Sequence, residues 1–209
     1  MSNQEFGLCV ILTSPVVGYD ICAEAAVVCG VRYLQLRMKD TPRTEVIAVA
    51  RRLKRITAGS PTLLIVNDDS VAALESGADG VHFGQCDLPP DFRRESFAAL
   101  RLVGISTHNE EQAHAALLLR PDYIGVGPVF ATSTKQNHDP ALGIDETARI
   151  IAAASPLPAL AIGGITPERI PALLAAGARN IAVVSAVCDS REPINTIKKL
   201  QNILTDKNR

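Results

Sequence analysis

Gln35, Arg37 and Lys39, in the run Gln-Leu-Arg-Met-Lys, alternate with Leu34, Leu36 and Met38. In a β-strand, period-two alternation puts the polar trio on one face and the apolar trio on the other. If the apolar face packs on helices, two cations are confined opposite it, and each is costly when unpaired. A diphosphate supplies the missing negative charge, and a guanidinium grips it through two parallel hydrogen bonds. An internal ion-paired network closed by Asp68 or Glu75 is the competing reading of the same residues.

Asp68 and Asp87 follow neighbouring apolar runs, close enough to face one cation. Hard oxygen ligands beside a diphosphate suit magnesium, which uses one or two carboxylates plus substrate oxygens. Two acids alone also fit turns, and Asp69, directly before Ser70, fits a helix cap better than a ligand. Thr132-Ser133-Thr134-Lys135 offers hydroxyls and an ammonium on a loop long enough to close over a ligand. By composition alone that stretch also fits a solvated turn. Gly163-Gly164 lets the backbone approach an anion, and Thr166 with Pro167 reads as the cap and first turn of the helix that follows. Free N–H groups there favour a phosphate monoester, with Ser185 completing the pocket. His82 reads first as a hydrogen-bonded core histidine, and His108, near Ser106, fits either the site or the surface. His138 is assigned no role.

These groups need a scaffold that brings them together, and the chain repeats one grammar: a short β-branched run, a polar or glycine break, then an Ala/Leu-rich stretch. The predicted strands are Leu8–Thr13, Tyr33–Arg37, Thr62–Val66, Gly80–Phe83, Leu102–Ser106, Tyr123–Val126, Ala159–Ile162 and Asn180–Val184. Helical patterns include Pro42–Ile56, Asn109–Leu119, Ile144–Ala154, Thr166–Ala176 and Glu192–Leu204. Such alternation means a parallel sheet covered by helices, open and doubly wound or closed as a barrel. Eight units filling 209 residues as one domain favour an α/β fold of the single (β/α)₈ TIM-barrel type. There the C-terminal ends of all strands, where the polar residues cluster, gather on one face.

Composition narrows the partners. Lys+Arg 21 against Asp+Glu 22 leaves a formal charge of -1, which argues against a nucleic-acid or anionic-membrane surface. Anion recognition must therefore be local. Cys9, Cys22, Cys29, Cys86 and Cys188 are an odd set without a C-x-x-C pair, as expected of reduced thiols in a cytoplasmic protein. The N-terminus shows no secretory pattern and no run approaches a membrane span. Apolar residues on the outer helices would serve a homo-oligomer or simply the core.

Read in order, Gln-Leu-Arg-Met-Lys, Asn-Asp-Asp, Gly-Val-His-Phe-Gly-Gln-x-Asp-Leu-Pro, Gly-Ile-Ser-Thr-His, Gly-x-Gly-Pro-Val-Phe-x-Thr-x-Thr-Lys, Ile-Gly-Gly-Ile and Val-Val-Ser-Ala resemble the thiamine phosphate synthase family over nearly the whole chain. The resemblance implies a magnesium-assisted transferase that joins an aminopyrimidine diphosphate to a thiazole phosphate and releases pyrophosphate. It implies that Gln35, Arg37, Lys39, Asn67, Ser106 and Lys135 hold the pyrimidine diphosphate, with Arg37, Lys39, Lys135 and Ser106 acting in catalysis. It further implies Asp68 and Asp87 as magnesium ligands, and Thr132, Thr134, Gly164 and Ser185 as contacts to the thiazole phosphate. The family's common form has Glu where Met38 stands, but alternation turns position 38 toward the helices. Two rivals share the scaffold. A thiazole tautomerase-like isomerase needs a proton shuttle and one phosphate site; a non-catalytic phosphate-metabolite sensor needs no metal pair.

Overall fold

The computed structural model describes residues 5–132 and 140–205. Eight parallel strands close into a barrel in sequence order: β1 Leu8–Leu12, β2 Tyr33–Leu36, β3 Leu63–Asn67, β4 Gly80–Phe83, β5 Leu102–Thr107, β6 Tyr123–Val126, β7 Ala159–Ala161 and β8 Asn180–Val183. Closure is made where Leu8, Cys9 and Val10 align with Ile181, Ala182 and Val183. The open doubly wound alternative is thereby excluded. Every strand lies within one residue of its predicted bounds, because both faces are buried and their β-branched runs carry a clear signal.

Period two sorts the strands into two cores. Cys9, Ile11, Tyr33, Ile65, Leu102, Tyr123 and Leu160 fill the barrel interior. Val10, Leu34, Leu36, Leu64, Val66, Val81 and Ile105 face the helical layer, and Met38 packs against that outer core as expected. The helices are α1 Tyr19–Val28, α2 Arg43–Thr57, α3 Ser70–Ser76, α4 Glu110–Leu119, α5 Gly143–Ala153, α6 Ile170–Ala175, α7 Ser185–Cys188 and α8 Pro193–Thr205. Asp69 caps α3 by accepting from Ala72 N at 2.9 Å, and Asn109 caps α4 by accepting from Gln112 N at 2.8 Å.

Two connections depart from the expected grammar. Between β4 and β5 stands only a 3₁₀ turn, Arg94–Phe97. There the Arg94 guanidinium donates to Asp122 at 2.9 Å and to the carbonyls of Phe97 and Leu100 at 3.0 Å, which fixes the connection without a helix. The helix after β7 begins at Ile170, not at Thr166. A helix begun at Thr166 would carry Pro171 in its interior, where the ring meets the Pro167 carbonyl. The chain instead closes a turn, Arg169 N to Thr166 O at 3.0 Å, so Thr166 and Pro167 do not open α6. Among the described residues no helix is long and apolar enough to cross a membrane.

Candidate active site

The strands deliver their polar residues to one cavity at the C-terminal mouth. Gln35, Arg37, Lys39, Asn67, Asp68, Asp87, Ser106, Thr132, Gly164 and Ser185 all line it. Thr134 and Lys135, with Ser133 and His138, lie outside the described residues.

On the β2 side, Arg37 N donates to Leu12 O at 2.9 Å, which extends the strand geometry past Leu36 and keeps the polar trio on the inner face. Arg37 has no carboxylate within ion-pair distance among the described residues. Lys39 differs: its ammonium pairs with the Asp68 carboxylate and lies 3.8 Å from Asp87. The competing ion-paired reading thus describes Lys39, through Asp68 and Asp87, but not Arg37; Glu75 instead receives Arg51 at its backbone carbonyl.

Asp68 is tightly prepared. Its backbone is left-handed at φ 63, a strained state for a non-glycine residue. Its carboxylate accepts from Asn67 Nδ2 at 2.6 Å and from Gly84 N at 3.0 Å. A Cβ at Gly84 would lie 2.6 Å from Asp87 Oδ2, so glycine there leaves room for the two carboxylates to converge. This hard-oxygen pair, with an ammonium lying against both members as a stand-in cation, fits magnesium completed by substrate oxygens and water.

At the opposite wall Gly163 and Gly164 have φ 103 and 61. A Cβ on Gly164 would lie 2.5 Å from the Ala131 carbonyl, so glycine permits both the turn and the packing of the preceding loop. Ser185 opens the short α7 and is exposed to the same cavity. A short helix after the eighth strand is where barrels of this type commonly place a phosphate group.

His82 is both a core histidine and part of the cavity lining. It is buried, with Nδ1 3.0 Å from the Tyr123 hydroxyl and Nε2 3.0 Å from Ser106 Oγ. His108 also lines the cavity and places Nδ1 against the Gly127 carbonyl. Gln85 donates its amide to the Ser106 carbonyl. Tyr123 and Gln85 are site components absent from the sequence reading. The signal that would have exposed Tyr123 is a pair of strand glycines, Gly104 and Gly125, that empty the space around it and His82. Burial raises the Tyr123 phenol well above its ordinary value and pushes the Cys9 thiol, deeper in the barrel, up to about 12.

A closed parallel barrel whose C-terminal mouth carries ionisable side chains on one wall and glycines on the other places the chain in the (β/α)₈ barrel class. The chain belongs to the thiamine monophosphate synthase family, whose sequence model matches residues 18–187. It is 41% identical over 177 residues to a thiamine-phosphate synthase of Laribacter hongkongensis, covering 85% of this chain and 83% of that one. A putative thiamine-phosphate synthase of Geobacter sulfurreducens is 37% identical over 194 residues, covering 92% and 91%. In solved structures, thiamine phosphate pyrophosphorylase from Pyrococcus furiosus superposes with a TM-score of 0.85 at 28% identity, covering 95% of each chain.

Proposed function

We propose that this chain condenses 4-amino-2-methyl-5-hydroxymethylpyrimidine diphosphate with hydroxyethylthiazole phosphate to give thiamine phosphate and pyrophosphate. The observation that carries the reading is one cavity with two chemically different anion-binding walls. Arg37, Lys39, Asp68 and Asp87 line one; Gly164 and Ser185 line the other.

The reaction breaks the C–O bond between the pyrimidine methylene and its diphosphate, and forms a bond from that carbon to the thiazole nitrogen. We read it as dissociative, with the ring's amino group delocalising positive charge on the carbon. Charge then grows on the departing oxygens, so groups aimed at them accelerate the step more than groups aimed elsewhere. Arg37 grips the diphosphate through its fork, Lys39 and Lys135 add point charges, and Asn67 and Ser106 donate neutral hydrogen bonds. Gln35 holds the pyrimidine from the cavity floor. Thr132, Thr134, Gly164 and Ser185 hold the thiazole phosphate. Asp68 and Asp87 would hold magnesium, which would supply positive charge to the leaving pyrophosphate. No strong base is required, in keeping with the hydrogen-bonded setting of His82 and His108.

A cytoplasmic setting is supported by the free state of all five cysteines, of which Cys9, Cys22 and Cys188 are buried. The test is incubation with both substrates and magnesium, followed by mass detection of thiamine phosphate. Product should appear, vanish with a chelator and return with added magnesium. No product at saturating substrates and magnesium overturns the reading; full turnover in metal-free buffer overturns the metal assignment alone.

A further inference from the structure

Beneath the cavity, side chains from β6, β4 and β5 form one hydrogen-bonded strap. The strap begins at the buried Tyr123 hydroxyl. That hydroxyl lies 3.0 Å from His82 Nδ1, and His82 Nε2 lies 3.0 Å from Ser106 Oγ. Ser106 lines the cavity at one end of the strap, while Tyr123 and His82 behind it are 1% and 7% exposed.

The barrel makes room for this strap. Gly104 on β5 is in register with His82, and a Cβ there would lie 2.5 Å from His82 Nδ1 and 2.2 Å from Tyr123 Cζ. A Cβ at Gly125 on β6 would press on His82 Cε1 at 3.2 Å. Two positions thus give up side chains in an interior otherwise filled by residues such as Ile65, Leu102 and Leu160. An aliphatic side chain at 82 with larger neighbours would fill the same space and leave no polar group to satisfy. Space filling therefore does not account for an imidazole held at both nitrogens.

The direction of the hydrogen bonds follows from the groups. Burial holds the Tyr123 phenol protonated, so its O–H needs an acceptor. Among the described hydrogen bonds, the acceptor that the geometry offers this proton is His82 Nδ1, at 3.0 Å. The Tyr123 O–H then donates to His82 Nδ1. In a neutral imidazole one nitrogen accepts and the other donates, so Nε2–H donates to Ser106 Oγ. The Ser106 O–H is left to donate into the cavity.

We propose that Tyr123 and His82 are positioning residues, a buried relay that keeps the Ser106 hydroxyl oriented as a donor toward the departing diphosphate. The role of that hydroxyl rests on the functional reading above; the direction of the relay does not. Fixing the rotor beforehand spares the reaction the cost of orienting it as charge develops.

The tautomer of His82 is readable by ¹⁵N NMR on the ligand-free protein. Wild type should show Nε2 protonated, and Tyr123→Phe, which keeps the ring packed near Phe6 and Tyr33, should lose that preference. An Nδ1-protonated ring, or one indifferent to Tyr123→Phe, overturns the relay whatever the protein catalyses. In turnover, Tyr123→Phe should lower kcat about fivefold and shift KM for the pyrimidine diphosphate by less than about twofold. In a Ser106→Ala background the same change should alter kcat by less than about twofold, because the rotor it orients is gone. His82→Gln, which retains an N–H toward Ser106, should keep more activity than His82→Leu. Independent, multiplicative losses in the double variant would reduce Tyr123 to a packing role and overturn the proposal. If wild type makes no thiamine phosphate, the functional reading fails and the tautomer result still decides the relay.

Discussion

A lysine–aspartate pair stands at each end of the barrel, and the two are built differently. At the N-terminal end Lys54 donates to both oxygens of Asp79 at 2.7 Å, and that carboxylate also accepts Leu64 N at 2.9 Å. The Asp79 side chain is only 9% exposed. At the mouth, Lys39 is shared between Asp68 and Asp87, its own side chain is 43% exposed, and all three line the cavity. The first pair is closed by the backbone and fixes α2 against the start of β4. The second is open on one side, so a ligand can exchange its members. The same charges serve architecture where the fold closes over them, and chemistry where they stand in the wall of a cavity.

Breaking the N-terminal pair should show the largest effect. Asp79→Asn leaves Lys54 without its carboxylate and should cost about 3 kcal/mol of stability. That is roughly a 10 °C fall in Tm for a chain of this size. Activity per folded molecule at low temperature should be unchanged. Loss of kcat without loss of Tm would contradict the assignment of this end to architecture.

The mouth should behave the opposite way. Lys39→Ala should lower kcat by ~10²-fold with Tm nearly unchanged, because its charge matters most as the leaving group departs. Lys135→Ala should match it in single-turnover kinetics, and Lys135→Arg should recover only part of the loss. A near-normal single-turnover rate in Lys135→Ala would return that residue to a solvated turn.

Within the mouth the two walls separate. Ser185→Ala removes one neutral donor and should weaken thiazole phosphate binding by ~1 kcal/mol. A change confined to pyrimidine diphosphate affinity would mean that the walls are assigned the wrong way round.

The smallest contrast is in thiol reactivity. Burial raises Cys9 to about 12 and Cys22 to about 11, so neither carries appreciable thiolate near neutral pH. Thiolate at these sites grows only as pH rises toward those values. Exposed Cys86, at the mouth end, should take an alkylating reagent first in the folded protein, with Cys9 and Cys22 labelled after denaturation. Peptide mass mapping reads the order; early labelling of Cys9 would show an open barrel interior.

Most of the scaffold was readable because barrel strands repeat a strong local signal. The alternation at Gln35, Arg37 and Lys39 is enough to put their side chains on the cavity face, since period two is a property of the strand alone. Asp69 was separable from Asp68 by its position before Ser70, and it is the cap of α3. The cap pattern at Thr166 and Pro167 misleads because Pro171, four residues after Pro167, is incompatible with a helix begun there. The strap was unreadable for another reason. Its links join residues 41 and 24 apart in sequence, and only the register of β4, β5 and β6 makes them neighbours.

The pairing of the two walls in one reaction is tested most directly by following pyrophosphate and thiamine phosphate together, in one sample with both substrates and magnesium. The two products should appear one for one, with negligible pyrophosphate when the thiazole phosphate is omitted. Sustained pyrophosphate release without thiamine phosphate, or no release at all, would contradict a condensation at this cavity.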